Sequence, residues 1–124
     1  MMNKKVTVVI ITYNRSIDVL KKAVQSVLTQ TYKEFELFIV NDAPENINLA
    51  DEIKQYIAEL GDTRVTYLSY EKNGGSNYAR NYGYVHATGE YIAFLDDDDE
   101  WLPKKLEYQV KEMDKNDRIG LVSC

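Results

Sequence analysis

The stretch Phe94-Leu95-Asp96-Asp97-Asp98-Asp99-Glu100-Trp101-Leu102-Pro103 sets an apolar run directly against a knot of carboxylates. Adjacent carboxylates repel one another, so a chain that clusters them usually offers the cluster a cation. Oxygen-only ligands suit magnesium, manganese or calcium rather than zinc. Asp96, Asp98, Glu100 and Glu107 fall on the ligand positions of a twelve-residue calcium loop, but Trp101 stands where that loop requires glycine. The preceding Glu90-Tyr91-Ile92-Ala93-Phe94-Leu95 reads as a buried strand and not as the helix such a loop follows. The acids therefore sit at the carboxyl end of a strand, where open α/β sheets bind their ligands. Metal-assisted chemistry is the first implication.

The elements that must position this cluster are readable in order. Val6-Thr7-Val8-Val9-Ile10-Ile11-Thr12 is β-branched throughout, as a central strand covered on both faces should be. Ser16 is a candidate N-cap for a helix with Leu20, Ala23, Val24, Val27 and Leu28 on one face. Phe35 to Val40 reads as a second strand closed by the turn residues Asn41-Asp42-Ala43-Pro44, and Leu49, Ile53, Tyr56, Ile57 and Leu60 mark a helix stopped by Gly61. A short strand over Arg64 to Leu68 leads into Glu71-Lys72-Asn73-Gly74-Gly75-Ser76, then a helix over about 77–87 ended by Gly89. After the acids, Leu102, Leu106, Val110 and Met113 predict a fourth helix with Pro103 near its first turn, and Ile119 to Cys124 begins another strand. Strict alternation predicts an α/β fold: a mostly parallel sheet with right-handed crossovers and helices on both faces. Nothing in the sequence covers the last strand, so the chain reads as a truncated piece of something longer.

At 124 residues this is one domain at most, and 44% hydrophobic with 28% charged residues is ordinary for a folded, soluble chain. A net charge of −5 without a Lys/Arg cluster excludes a phosphate-tracking nucleic-acid surface. The single Cys124 cannot form an intrachain disulfide, which fits a reducing compartment. Val8-Val9-Ile10-Ile11 is far too short to span a bilayer, and residues 1–5 are no signal peptide, so the expected location is cytoplasmic. No G-x-G-x-x-G follows the first strand, so a dinucleotide-binding Rossmann domain loses its phosphate loop.

Five segments in register, Val6 to Arg15, Ser26 to Tyr32, Phe35 to Asp42, Asn73-Gly74-Gly75 with Ala79-Arg80-Asn81, and Gly89 to Pro103, resemble family 2 glycosyltransferases of the GT-A fold. The resemblance covers nearly the whole chain. It implies transfer of a sugar from a nucleotide diphosphate to an acceptor hydroxyl, with inversion and with Mn²⁺ or Mg²⁺. Asp96-x-Asp98 is similar to the family's metal-holding DXD motif; Asp97-x-Asp99 also satisfies the pattern, but the family's spacing to Phe-Leu and Pro selects Asp96 and Asp98 as metal ligands. The resemblance further assigns Thr12, Tyr13, Asn14, Asp42, Arg80, Asp96 and Asp97 to the nucleotide sugar. Tyr13 would pack on the base, Asp42 would accept a hydrogen bond from uracil, and Arg80 would reach the diphosphate.

The resemblance favours uracil as the base; where the family more commonly has Val-Asp-Asp-Gly-Ser, this chain has Val40-Asn41-Asp42-Ala43-Pro44, and that departure keeps thymine and guanine as alternatives. Residues 1–124 would be the N-terminal donor-binding portion. The catalytic base and the site for a saccharide or lipid-linked acceptor are expected beyond Cys124, so no catalytic residue is assigned and the fragment itself should turn over little. The full-length protein would then work in the cytoplasm or at the inner face of a membrane. Two other readings are a non-catalytic nucleotide-sugar or metal-binding module and a metal-dependent sugar nucleotidyltransferase. His86 receives no role beyond helix-end capping, and Trp101 is expected to pack beneath the acids.

Overall fold

The computed structural model describes residues 4–115 and 121–123. Its elements alternate as the apolar periods require: β1 (Val6–Thr12), α1 (Ile17–Leu28), β2 (Phe35–Asn41), α2 (Ile47–Leu60), β3 (Val65–Ser69), α3 (Ser76–His86), β4 (Tyr91–Asp96), α4 (Lys105–Lys115) and β5 (Leu121–Ser123). The strands form one parallel sheet in the order β3-β2-β1-β4-β5, with β1 at its centre as its β-branched run predicts. Of the expected last strand, Ile119, Gly120 and Cys124 lie outside the described residues.

Alternation along β1 divides the core. Val6, Val8 and Ile10 face a large cluster with Leu20, Val24 and Val27 of α1, Ile53 of α2 and Leu106 and Val110 of α4. Val9 and Ile11 face a smaller cluster with Phe38, Val40, Ile92 and Ala79 of α3. Three helices therefore cover one face and α3 the other. Both β1→β2 and β4→β5 cross over the α1 face but step in opposite directions along the sheet, so the last connection has the opposite hand to the first three. This corrects the expectation of right-handed crossovers throughout.

Two other local readings change. Ser16 occupies the N-cap position of α1, but its side chain makes no capping hydrogen bond; the turn is closed by the Ser16 carbonyl accepting from the Val19 and Leu20 N–H groups. Gly89 does not stop α3, whose C-cap is Ala87 in an extended conformation. A Cβ at Gly89 would lie 2.7 Å from the Lys5 carbonyl oxygen and 2.8 Å from the Thr7 nitrogen, so glycine is needed for close approach to β1. Glu36 gathers the same end of the sheet, accepting from Thr7 Oγ1 at 2.6 Å and from the Thr88 N–H at 2.7 Å. Burial opposes its charge, but these bonds and Lys5 outweigh that and hold its carboxyl below the usual range.

The entry to β3 is stapled by charge. Asp62 Oδ1 accepts from the Arg64 N–H at 2.9 Å, and its Oδ2 pairs with Arg64 Nη2 at 2.7 Å. The Arg64 side chain holds the Asp62 carboxyl down to about 2 from an ordinary 3.8. A depressed carboxylate stabilises the fold fully above its unfolded value and loses that contribution as pH falls through the folded one. Stability should therefore drop between about pH 4 and pH 2, and Asp62→Asn should flatten that part of the curve in denaturant melts across pH. An unchanged pH slope in the variant would refute the assignment.

Candidate functional site at the carboxyl rim of the sheet

Parallel pairing brings the chemistry-bearing residues to one rim. Thr12 is in register with Asn41 of β2, and Ile11 with Asp96 of β4, so three neighbouring strands end at nearly the same level. Each then turns into a polar segment: Tyr13-Asn14-Arg15, Asp42-Ala43-Pro44 and the four aspartates.

The β1 and β2 ends build an open cleft of about 520 Å³ lined by Tyr13, Asn14, Ala43, Glu45, Asn46 and Asn73. Tyr13 is 56% exposed, so its ring is available to a flat ligand. Asn14 has φ +52°, a left-handed conformation that asparagine tolerates better than most residues. Its Oδ1 accepts from Asn46 Nδ2 at 3.1 Å, and Asn46 Oδ1 in turn caps α2 through the Leu49 N–H. Thr12 lies below the mouth. It is fully buried, its carbonyl accepts from the Asp42 N–H at 2.8 Å, and its Oγ1 has no hydrogen-bond partner among the described residues.

Asp42 is only 4% exposed, and its carboxylate is fully engaged. Oδ1 accepts from Tyr70 Oη at 2.5 Å and from the Gly74 N–H at 3.0 Å; Oδ2 accepts from Asn73 Nδ2 at 2.7 Å and from the Gly75 N–H at 3.1 Å. An ionised carboxylate offers about four acceptor positions, so all of them are in use. Gly75 has φ +87°, where a side chain would be strained, and this conformation lets successive N–H groups face one anion. Burial, together with the bond to Asp42, pushes the Tyr70 hydroxyl above the usual tyrosine range and keeps it a donor. Tyr70 also meets Tyr78 and Tyr82 edge-on at 4.8 and 5.0 Å, which ties the loop to α3.

The β4 end folds into a tight turn closed by the Asp99 N–H donating to the Asp96 carbonyl at 3.1 Å. This turn sorts four identical residues. Asp97 points inward, 7% exposed, and pairs with Arg15 Nε at 3.2 Å. Asp96, Asp98 and Asp99 stay exposed, each with a carboxylate oxygen within 4.8 Å of the others. Three hard oxygen donors so close together fit a shared Mg²⁺ or Mn²⁺. Arg15 Nη2 also reaches Asp98 Oδ2 at 3.5 Å.

Behind the turn, Trp101 is buried in the larger core. The buried Gln30 donates to the Leu102 carbonyl at 2.7 Å and accepts from the Leu106 N–H at 2.9 Å, while the Thr31 N–H donates to the Pro103 carbonyl at 2.9 Å. The acids are thus held between β4 on one side and the end of α1 on the other.

Arg80 is brought to a different groove, of about 830 Å³, beside Tyr84, Val85 and Phe94. It does not line the Tyr13 cleft, and no ion pair to it is found among the described residues. His86 Nδ1 lies 2.8 Å from the Tyr82 carbonyl, in keeping with helix-end capping. Reading the sequence missed Tyr70 and Arg15 as parts of the site. Arg15 stood within the Tyr13-Asn14-Arg15 signal, whereas one tyrosine among ten carried none.

A parallel sheet with a polar, carboxylate-rich rim at its strand ends is the α/β arrangement that binds ligands outside the carboxyl ends of its strands. The chain matches Glycosyl transferase family 2 over residues 7–124 and belongs to that family. A Methanocaldococcus jannaschii protein described as uncharacterized glycosyltransferase MJ1057 is 41% identical over 117 residues, which cover 94% of this chain and 40% of that one. Escherichia coli WfgD, a UDP-Glc:alpha-D-GlcNAc-diphosphoundecaprenol beta-1,3-glucosyltransferase, is 35% identical over 90% of this chain and 42% of its own length. Among solved structures, Staphylococcus aureus TarS 1-349 in complex with UDP-GlcNAc superposes with a TM-score of 0.69 at 24% identity, over 90% of this chain and 31% of that one. The mannosyltransferase PcManGT from Pyrobaculum calidifontis, in complex with GDP-Man and Mn2+, gives 0.68 at 23% identity, over 81% and 29%. These likenesses establish the GT-A type of fold. The chain spans about two fifths of the length of these two curated relatives.

Proposed function

We propose that residues 1–124 are the donor-binding portion of a metal-assisted glycosyltransferase that takes a sugar from a nucleotide diphosphate, with uracil the favoured base and inversion the stereochemical course. The observation that carries this reading is the level ending of β1, β2 and β4, which puts an exposed aromatic cleft and a three-carboxylate cluster on one rim. Tyr13 and Asn14 would seat the base, and the Asp42-centred loop would shape the floor of that seat. Asp96 and Asp98, with Asp99 beside them, would hold Mn²⁺ or Mg²⁺, which supplies positive charge against the leaving diphosphate. Arg80 would approach the diphosphate from the groove beside β4. The names of WfgD and TarS, with UDP-linked sugars, support a UDP donor, and that of PcManGT supports manganese.

A saccharide or lipid-linked acceptor, and a base that deprotonates its hydroxyl, would come from the rest of a longer protein working at the cytoplasmic side of a membrane. No helix among the described residues is long and apolar enough to cross one. Titration calorimetry of UDP into this chain, with and without Mn²⁺, tests the proposal. Binding that requires the metal and exceeds that of CDP, GDP and dTDP is expected; a preference for GDP would move the base assignment, and metal-independent binding would refute the role of the acids.

A further inference from the structure

Arg15 joins the two halves of the rim. It leaves the end of β1 and spans the acidic turn, its Nε on Asp97 Oδ1 at 3.2 Å and its Nη2 on Asp98 Oδ2 at 3.5 Å. The two contacts differ in kind. The Asp97 side chain is 9% exposed and that of Asp98 is 51% exposed, so the first bond is sheltered and the second is open to water. Exposed ion pairs hold weakly, whereas a buried carboxylate keeps its counter-charge strongly. Asp97 thus anchors the guanidinium, and the arginine's free fork rests on one of the three carboxylates that a divalent ion would share.

We propose that Arg15 and the divalent cation compete for Asp98: the Asp97-anchored guanidinium serves as the built-in counter-ion of the acidic turn and yields Asp98 to the metal. The inference rests on the metal reading above and makes Arg15 a positioning residue acting through Asp98. Competition has a sign that a purely structural tie would not produce. Losing a structural tie would loosen the turn and weaken metal binding; losing a competitor strengthens it.

The test measures Mn²⁺ affinity, without nucleotide, by calorimetry or by the electron-spin signal of free Mn²⁺. Arg15→Gln is compared with the wild-type chain, and Arg15→Gln/Asp97→Asn with Asp97→Asn. Asp97→Asn alone releases the guanidinium without leaving a buried carboxylate unpaired, so a gain in Mn²⁺ affinity in that variant carries the comparison if Arg15→Gln fails to fold. Removing the arginine should tighten Mn²⁺ about fivefold where Asp97 holds it, the size of one exposed charge contact, and should change little in the Asp97→Asn background, where the guanidinium has lost its anchor. Unchanged or weaker binding in Arg15→Gln than in the wild-type chain would overturn the proposal, as would an equal gain in both backgrounds. If arginine removal has no effect while Asp98→Asn abolishes Mn²⁺ binding, the competition fails and the metal site stands. If none of the proteins binds Mn²⁺, both fail.

Discussion

Asp42→Ala is expected to lower the unfolding free energy by about 3 kcal/mol, a large loss for one polar residue. The carboxylate is buried and accepts four hydrogen bonds from a segment 28 to 33 residues downstream. Removing it strands the Gly74 and Gly75 N–H groups and the Tyr70 hydroxyl, of which the first two can turn to water and the third sits against aromatic neighbours. Asp42→Asn keeps one acceptor oxygen and should lose about half as much. Urea denaturation reads the difference, and amide exchange should show the loss concentrated in residues 70–75. A destabilisation below about 1 kcal/mol for the alanine variant would mean that the loop holds itself.

The same geometry shapes how Asp42 can serve a ligand. With all four acceptor positions filled, it meets a base N–H only by releasing a partner, and the Tyr70 hydroxyl is the one that can rotate away. Tyr70→Phe would then favour base binding while costing stability, which separates a recognition role from a scaffolding one.

Asp98→Asn and Asp97→Asn should have opposite profiles although the residues are neighbours and identical. The first removes an exposed carboxylate and should leave the melting temperature nearly unchanged. It should also weaken Mn²⁺-dependent UDP binding about 100-fold, equivalent to about 2.7 kcal/mol. The second breaks a sheltered ion pair and should cost about 2 kcal/mol of stability, because Arg15 loses its anchor. Thermal melts with parallel calorimetry would separate them. Equal effects of the two substitutions on both measurements would show that the turn does not sort its acids as described.

Much of this arrangement was readable in the sequence because it depends on period and chain order. The β-branched run of β1 announced a central strand, and the apolar spacing of α1, α2 and α4 announced their buried faces. What escaped depends on contacts between distant residues. Gly89 looked like a helix stop because glycine usually is one there, but it faces the backbone of Lys5 and Thr7, far earlier in the chain. The hand of the β4→β5 connection follows from which face α4 chooses, and an amphipathic pattern fits either face equally well. The partners of Asp42 lie around a loop whose glycines read only as flexibility. The four aspartates carry identical letters, and only the hydrogen bond closing their turn makes one inward and three outward.

That turn also bears on how the gene can vary. An insertion or deletion of one aspartate gives the same protein product wherever in the run of four it falls. The segment has little slack to absorb it, because β4 is paired to β1 up to Asp96 while Trp101, Leu102 and Pro103 are fastened to the core, Gln30 and Thr31. A fifth or a missing aspartate would have to be taken up within the turn itself, shifting which acid faces Arg15. The number of aspartates in the run is thus held by the fastened segments on either side of it.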